Sequence, residues 1–248
     1  MKKILAALLA LSMLLALSAC AQNPGGTITP QETTAPAATD GPAQDATDSP
    51  EHTDPPQTTA PSSGEAETSL FGSIQGGTYE NAFLGIGCFL DSNWSIATDE
   101  EMAQLNGIVA DAITDEVLSE AIQNSGVVYD LYATADQGLV SMNIVLENLG
   151  VLYGIAMDEE TYVNSSLDQL KTALTSMGMT DVTVEATTVK LAGADHAAVQ
   201  VHGLYQDVDF YELVVCVKAD TYMAAVTVGS YYEDVTDTVI DMFYAVEN

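Results

Sequence analysis

Apolar side chains recur at steps of four and three residues along one stretch of the second half of the chain. This spacing puts them on one face of an α-helix. Acidic residues 158–160 suit its N-terminal turn, and Gly178 suits its C-terminal cap. The pattern therefore predicts an amphipathic helix over 158–177, whose buried face is Val163, Leu167, Leu170, Leu174 and Met177.

Three shorter segments also carry helical signals. Thr98 with Glu101 three residues later forms a capping box. The helix that it begins has Met102, Leu105, Ile108 and Val109 on one face. A second short helix is predicted over 116–123. A last helix is predicted over 233–246, with an apolar side of Val235, Val239, Met242, Phe243 and Val246.

Alternation of apolar and polar residues predicts the strands. Segments 127–133 and 140–146 flank a Gln-Gly turn and predict a hairpin. One face of it would hold Val127, Tyr129, Leu131 and Ala133 opposite Val140, Met142, Ile144 and Leu146. Residues 79–90 are predicted as one extended run, followed by a strand at 94–97. Four more strands, joined by short turns and hence antiparallel, are predicted at 182–191, 197–205, 209–218 and 223–228.

The order of elements predicts an α+β domain over residues 70–248, an antiparallel β-sheet flanked by three main helices. Four short features also resemble a known fold: Tyr79-Glu80-Asn81, Leu84-Gly85-Ile86, Trp94 and the helix start at Thr98. In these residues and in its element order the chain resembles the PsbP/Mog1-like fold, an αβα sandwich. That family contains a photosystem accessory protein, a Ran-binding protein and lipoproteins. The resemblance implies a binding or accessory role.

The first 20 residues carry an export signal. Lys2 and Lys3 precede an apolar run of about 14 residues, which is shorter than the roughly 20 that a membrane-spanning helix needs. The run ends in Leu17-Ser18-Ala19-Cys20, which resembles the lipobox of bacterial lipoproteins. The resemblance implies lipidation (palmitate) at Cys20 and a location on the extracytoplasmic face of the cell membrane.

Residues 21–69 have the composition of a linker. All eight prolines lie between Pro24 and Pro61, among Thr, Ala, Ser and Asp. Such a segment buries too little apolar surface to offset the entropy of ordering, so we expect disorder. A flexible chain of this length would hold the domain roughly 35–42 Å from the membrane.

The charge balance limits the partners. The chain has 36 acidic residues against 5 lysines, no arginine, and a net charge of −31. Nucleic acid is excluded, because phosphate contacts need Lys and Arg. A cationic ligand or a basic protein partner would be attracted. The alternative is that the charge serves solubility and spacing only.

The sequence offers no catalytic constellation, and it indicates no cofactor. Of the three histidines, His52 lies in the linker, and His196 and His202 would lie about 20 Å apart along one strand. His196 beside Asp195 is expected to be a turn residue. Because a serine nucleophile needs a nearby base, the chain is predicted not to be an enzyme.

One acidic arrangement is a candidate metal site. Glu233, Asp237 and Asp241 have the spacing of one helical face with no lysine beside them. A solvated face is the favoured interpretation. The alternative is a Ca²⁺ site built from oxygen ligands, although no EF-hand loop is present.

Cysteine and tyrosine complete the candidates. Cys88 and Cys216 lie in apolar strand-like segments and are predicted to be buried thiols, with a disulfide as the alternative. Tyr129, Tyr205 and Tyr211 are expected in the core, whereas Tyr231 and Tyr232 are candidates for an exposed stacking surface for sugar or peptide.

Together these observations predict a lipid-anchored, non-enzymatic binding or accessory domain at the cell envelope. The first alternative is a structural or spacer lipoprotein, and the second is a Ca²⁺-binding acidic domain. The sequence does not indicate an oligomeric state.

Overall fold

The computed structural model describes residues 69–108 and 113–247, which form a mixed α+β fold. Cys20 and nearly all of the predicted linker lie outside the described residues. The strands are β1 (Ser73–Gln75), β2 (Thr78–Asn81), β3 (Ile86–Phe89), β4 (Ser95–Ile96), β5 (Val127–Ala135), β6 (Val140–Asn148), β7 (Thr180–Leu191), β8 (Ala194–Tyr205), β9 (Val208–Ala219), β10 (Tyr222–Tyr231) and β11 (Phe243–Ala245). The helices are α1 (Asp99–Leu105), α2 (Asp115–Ser125), α3 (Gly150–Ala156), α4 (Glu159–Ser176) and α5 (Thr236–Ile240).

The strands form two antiparallel sheets. One has four strands in the order β1-β2-β3-β11, and the other has seven in the order β4-β5-β6-β10-β9-β8-β7. The predicted hairpin β5–β6 and the four-strand meander β7–β10 are confirmed. Strand β10 returns to pair with β6, so these two strands lie in the middle of the large sheet.

Helix α4 begins and ends as its sequence predicts. The Asp158 carboxylate accepts a hydrogen bond from the Thr161 amide at 2.8 Å, and Gly178 adopts a positive φ of 93° just beyond the helix. Val163, Leu170 and Leu174 are buried, which confirms the apolar face. The helix packs on β7, β8 and β9 and forms one hydrophobic core with them.

The capping box of α1 is also confirmed. Thr98 accepts from the Glu101 amide, and the Glu101 carboxylate accepts from the Thr98 amide at 2.9 Å. The helix ends at Leu105, so Ile108 lies beyond it, and Val109 is outside the described residues. Helix α2 confirms the helix predicted at 116–123 and extends it at both ends.

The opposite face of the large sheet carries the four-stranded sheet together with α2 and α5, and these enclose the second hydrophobic core. This arrangement differs from the predicted single sheet with three main helices. Residues 79–90 form the hairpin β2–β3 rather than one strand, because the chain reverses through Gly85, whose φ is 69°.

The helix predicted over 233–246 is wrong beyond its centre. Only Thr236–Ile240 is helical, and Phe243–Ala245 then pairs with β3. Gly87 permits this pairing, because a Cβ there would lie 2.6 Å from the Tyr244 ring that covers it. Pairing at the sheet edge satisfies backbone groups that a helix would otherwise satisfy, and it keeps Phe243 in the core.

The predicted apolar face of β5 is wrong on one side of a β-bulge. The register with β6 shifts between Tyr129 and Leu131. Val128, Leu131 and Ala133 therefore share one core, because an extra residue reverses the alternation. The extra residue is Asp130.

Asp130 joins the two sheets. Its carboxylate accepts hydrogen bonds from the Tyr79 hydroxyl at 2.6 Å, the Asn81 side-chain amide at 2.9 Å and the Gly72 amide at 3.0 Å. Burial raises the pKa of Asp130, although these three donors act to lower it. The ring of Tyr79 lies against Gly72, where a Cβ would be 2.3 Å away.

Cys88 and Cys216 are free, buried thiols, as predicted, and the disulfide alternative is wrong. They belong to different cores on opposite faces of the large sheet. Burial raises the pKa of Cys88 to about 12, and it also raises the pKa of Cys216. Both thiols are therefore protonated and chemically inert at neutral pH.

Helix α3 was not predicted, and it is mostly exposed. Leu152 and Ile155 are 85% and 80% exposed, and Val151 and Tyr153 are exposed as well. Gly154 is the buried contact, since a Cβ there would lie 2.7 Å from the Thr221 backbone. Within the described part of the chain, no helix is long and apolar enough to cross a membrane.

Candidate binding site

Two neighbouring rows of polar residues cross the α4 side of the large sheet. Residues paired directly across antiparallel strands share a face, with Cβ atoms about 4.5–5.5 Å apart. The pairing extends to Val214 in the core under α4, which identifies the face. The first row is Tyr132, Asn143 and Thr227, and the second is Thr134, Ser141, Gly229 and Glu212. We call these seven residues the polar strip.

Four side chains of the polar strip are buried without a hydrogen-bond partner among the described residues. The atoms are the Tyr132 hydroxyl, Asn143 Oδ1, Thr227 Oγ1 and Glu212 Oε2. A buried polar atom that makes no hydrogen bond costs about 1–3 kcal/mol. Native proteins leave few such atoms, and each needs a physical reason, such as a water, an ion or a ligand. Tyr132, Asn143 and Thr227 are paired directly across β5, β6 and β10, and Glu212 lies one row away on β9. Such a group indicates a place built to receive a polar group.

Glu212 is the ionisable end of the polar strip. Burial raises the pKa of its carboxyl group to about 8. At neutral pH the group is therefore largely a neutral acid, with one hydrogen to donate and oxygens that accept. Gly229, its partner on β10, contributes no side chain between Glu212 and Ser141.

A cavity of about 330 Å³ adjoins the polar strip between α1, β4 and β5. Tyr132 and Thr134, the first residues of the two rows, line it, and Glu101 and Gln104 from α1 lie at its other wall. The polar strip thus starts at a cavity and continues across the sheet to Glu212. A small polar molecule in the cavity would contact Tyr132 and Thr134, the β5 end of the polar strip.

Glu147 lies on the same face of β6 but outside the polar strip. Its carboxylate accepts a hydrogen bond from the Tyr162 hydroxyl of α4 at 2.6 Å. Burial raises the pKa of Glu147 to about 7, although the Tyr162 hydroxyl acts to lower it. Glu147 therefore has a hydrogen-bond partner within the fold, whereas Glu212 Oε2 has none.

A larger, open groove of about 640 Å³ lies at the N-terminus of α4. There Glu159 accepts hydrogen bonds from the backbone amides of Ala197 and Lys218 at 3.2 and 2.9 Å, and from His196 Nδ1 at 2.9 Å. Burial alone would raise the pKa of Glu159, but these hydrogen bonds lower it overall. Glu159 therefore joins β8 to β9 where the two strands separate, and the groove is explained by the fold.

Both histidines lie on β8, as the sequence predicts, but His196 is a strand residue and not a turn residue. His196 pairs with Glu159 and not with its neighbour Asp195, which pairs with Lys190 at 3.1 Å. His202 contacts Asp209 at 3.0 Å and stacks on Tyr211, with ring centroids 4.8 Å apart.

The predicted acidic face of the last helix does not form. Glu233 precedes α5, Asp237 lies in its first turn, and Asp241 caps its C-terminus. Across residues 69–108 and 113–247, no group of three or more His, Cys, Asp or Glu side chains is placed to hold a metal ion. The helical spacing that suggested the Ca²⁺ alternative is therefore absent.

The tyrosine predictions are confirmed only in part. Tyr129 is buried, whereas Tyr205 and Tyr211 are half-buried. Tyr231 packs against Phe210 with ring centroids 5.0 Å apart, and Tyr232 is 65% exposed. The predicted pair of exposed tyrosines is therefore wrong, because one ring belongs to the core.

Comparison with known proteins adds little. No protein-family model matches the chain, and no curated protein matches it. A crystal structure from Bacteroides thetaiotaomicron VPI-5482 aligns over 71% of this chain with a TM-score of 0.39 and 11% sequence identity. The aligned part spans 50% of that protein's own length. A likeness this low carries no argument about fold or function.

Proposed function

We propose that this protein is a lipid-anchored, non-enzymatic binding domain on the extracytoplasmic face of the cell membrane, and that it binds a small polar ligand at the polar strip. The observation that carries the proposal is the set of four buried oxygen atoms without partners on adjacent strands. A spacer protein gains nothing from that arrangement. Nothing in the polar strip suggests a nucleophile, and the His196–Glu159 pair is engaged with backbone amides.

The finer fold assignment belongs to the same proposal. We infer that the domain is PsbP/Mog1-like, on the strength of the residues quoted above and of an antiparallel sheet with helices against its faces. That family's role as a binding or accessory module agrees with a ligand site on the sheet. None of its partner-binding residues transfers to this chain.

The proposal is tested by replacing hydroxyls that lack partners. Thr227→Val and Tyr132→Phe remove a buried oxygen that makes no hydrogen bond, so each should stabilise the protein by about 1 kcal/mol. We expect a higher Tm for the full chain in non-ionic detergent. A gain in stability means that the hydroxyls are kept for binding and not for folding.

Thr236→Val is the matched control. Thr236 is as buried as Thr227, but its hydroxyl donates to the Asp234 carboxylate at 2.7 Å. The control should therefore lower Tm, by about 1 kcal/mol in stability. If Thr227→Val and Tyr132→Phe lower Tm as the control does, the two hydroxyls have structural partners and the proposed site is wrong.

The membrane anchor has its own test. Cells expressing the chain and fed radiolabelled palmitate should label the wild-type protein and leave the Cys20→Ala variant unlabelled. The wild-type protein should sediment with membranes because two or more acyl chains hold a protein stably. Equal release of both proteins into the soluble fraction would contradict the lipid anchor and leave the binding site unaffected.

A further inference from the structure

The polar strip offers hydrogen-bond acceptors to a ligand and no fixed positive charge. The four atoms of the polar strip that lack partners are all oxygens, from two hydroxyls, one amide and one carboxyl group; Ser230 Oγ, the fifth such atom among the described residues, lies outside the polar strip. The seven residues of the polar strip include no Lys, Arg or His, so they offer no fixed cation to an anionic ligand. The net charge of −31 adds to this preference, because it raises the local concentration of cations.

The number of carboxyl groups decides which cation fits. Ca²⁺ takes six to eight oxygens with several carboxylates, and Mg²⁺ needs a near-ideal octahedron. The polar strip contains Glu212 as its single acid, and the described residues hold no cluster of three acidic or other metal-binding side chains. A –NH₃⁺ group instead carries one charge and three donors. One carboxylate and two or three neutral oxygens would satisfy it.

We propose that the polar strip binds the primary ammonium group of a small organic amine, with Glu212 as its counter-ion. This inference rests on the proposed function and specifies its ligand. Asn143 Oδ1 and the Thr227 hydroxyl lie on neighbouring strands within reach of the same group. The cavity adjoins the β5 end of the polar strip, at Tyr132 and Thr134.

Binding must release a proton. In the empty site Glu212 is protonated below about pH 8, so the incoming ammonium displaces that proton to solvent and leaves a carboxylate–ammonium pair. The affinity should therefore rise up to tenfold per pH unit between pH 6 and 8 and level off above.

The pH dependence of binding can be assigned to Glu212, because the pKa values of the other titratable groups near it are known. Tyr132 on β5 and Tyr231 on β10 have pKa values raised by burial to about 12, so neither titrates in this range. Burial also raises the pKa of the Tyr162 hydroxyl on α4 well above its usual value. Glu147 is the other buried acid of this face. The charged residues of α4 that face solvent are Glu160, Asp168 and Lys171, and those of α1 are Asp99, Glu100 and Glu101.

The experiment compares two cations of equal charge. The full chain in non-ionic detergent is melted with methylammonium chloride or tetramethylammonium chloride at the same concentration, at pH 6 and at pH 8.5. Only methylammonium has N–H donors. We expect it to raise Tm by several degrees at pH 8.5 and by much less at pH 6, and we expect no such shift with tetramethylammonium.

Two variants identify the site. Glu212→Gln should abolish the methylammonium shift, and Glu147→Gln, which removes a buried acid outside the polar strip, should retain it. An equal shift with both cations, a shift that does not change with pH, or a shift that survives Glu212→Gln would overturn the ammonium assignment. If methylammonium fails while Thr227→Val and Tyr132→Phe still stabilise, the ligand class is wrong but the binding site stands.

Discussion

Asp130→Ala should lower the free energy of unfolding by about 3–5 kcal/mol. The substitution leaves the Tyr79 hydroxyl and the Gly72 amide without an acceptor, and it leaves the Asn81 side-chain amide with only the Leu70 carbonyl oxygen at 3.2 Å. A buried donor that loses its partner costs about 1–3 kcal/mol, and here two lose theirs while a third loses one of its two acceptors. Urea denaturation of the full chain measures the change. The slope of unfolding against urea should be unchanged, because the same surface is exposed.

Two further variants make the Asp130 experiment specific. Asp130→Asn keeps the size and one acceptor oxygen, so it should destabilise the protein by less than Asp130→Ala. Asp195→Ala removes an exposed carboxylate whose partner is the exposed Lys190, so it should change stability by less than about 0.5 kcal/mol. A loss below about 1 kcal/mol for Asp130→Ala would show that Asp130 does not hold the two sheets together.

The sequence predicts the elements that depend on local signals. The capping box at Thr98, the cap at Asp158 and the four-and-three spacing of the α4 face each determine a helix within one segment, and all three are confirmed. The strands of the meander follow from alternation and short turns in the same way. These features need no knowledge of what packs against them.

The elements that the sequence misses depend on distant partners. Residues 243–245 form a strand because β3 presents Gly87 to the Tyr244 ring, 157 positions along the chain. The bulge at Asp130 exists because Tyr79 and Asn81 offer donors to an extra residue. A local pattern of apolar spacing holds no information about either partner, so a continued helix and a regular strand were the expected outcomes.

The polar strip was missed for a related reason. Apolar and polar residues alternate along β6, which is the usual pattern of a strand with one face in water. The apolar residues are Val140, Met142, Ile144 and Leu146, and the polar ones are Ser141, Asn143 and Glu147. In the structure β6 is an interior strand of seven and both of its faces are buried. Only the pairing of β6 with β10 brings Asn143 beside Thr227. The polar half of an alternating strand is a useful signal only once its position in the sheet is known.

Stability should fall as the pH rises from about 5 to 8. Burial raises the pKa of Glu147 to about 7 and that of Glu212 to about 8, from ordinary values near 4.5. Between the ordinary pKa and the raised pKa, the carboxyl group is protonated in the folded state and ionised in the unfolded state. The contribution is therefore fully present below about pH 4.5 and is lost as the pH rises through 7 to 8. At 1.36 kcal/mol per pH unit, each acid accounts for about 3–5 kcal/mol.

Below pH 4.5 the sign reverses. Burial alone would raise the pKa of Glu159, but hydrogen bonds from His196 and two backbone amides lower it, so its stabilisation is lost as the carboxylate protonates. The highest stability is thus expected near pH 5, and urea denaturation at pH 4, 5, 6.5 and 8 locates it.

Glu212→Gln decides whether the polar strip is the cause of the pH dependence. The variant has no proton to lose at this position, so it should be more stable than the wild type at pH 8 and nearly equal at pH 5, with a smaller slope between them. Glu147→Gln should remove a further part of the slope, leaving the part that Asp130 contributes, but it should also lose the carboxylate acceptor for the Tyr162 hydroxyl and so destabilise the protein at pH 5. A stability that stays level from pH 5 to 8 in the wild type would mean that water reaches Glu212.

The same acid that costs stability at neutral pH is the one that a bound ammonium would neutralise, so a ligand that restores stability at pH 8 and not at pH 5 would unite the two effects.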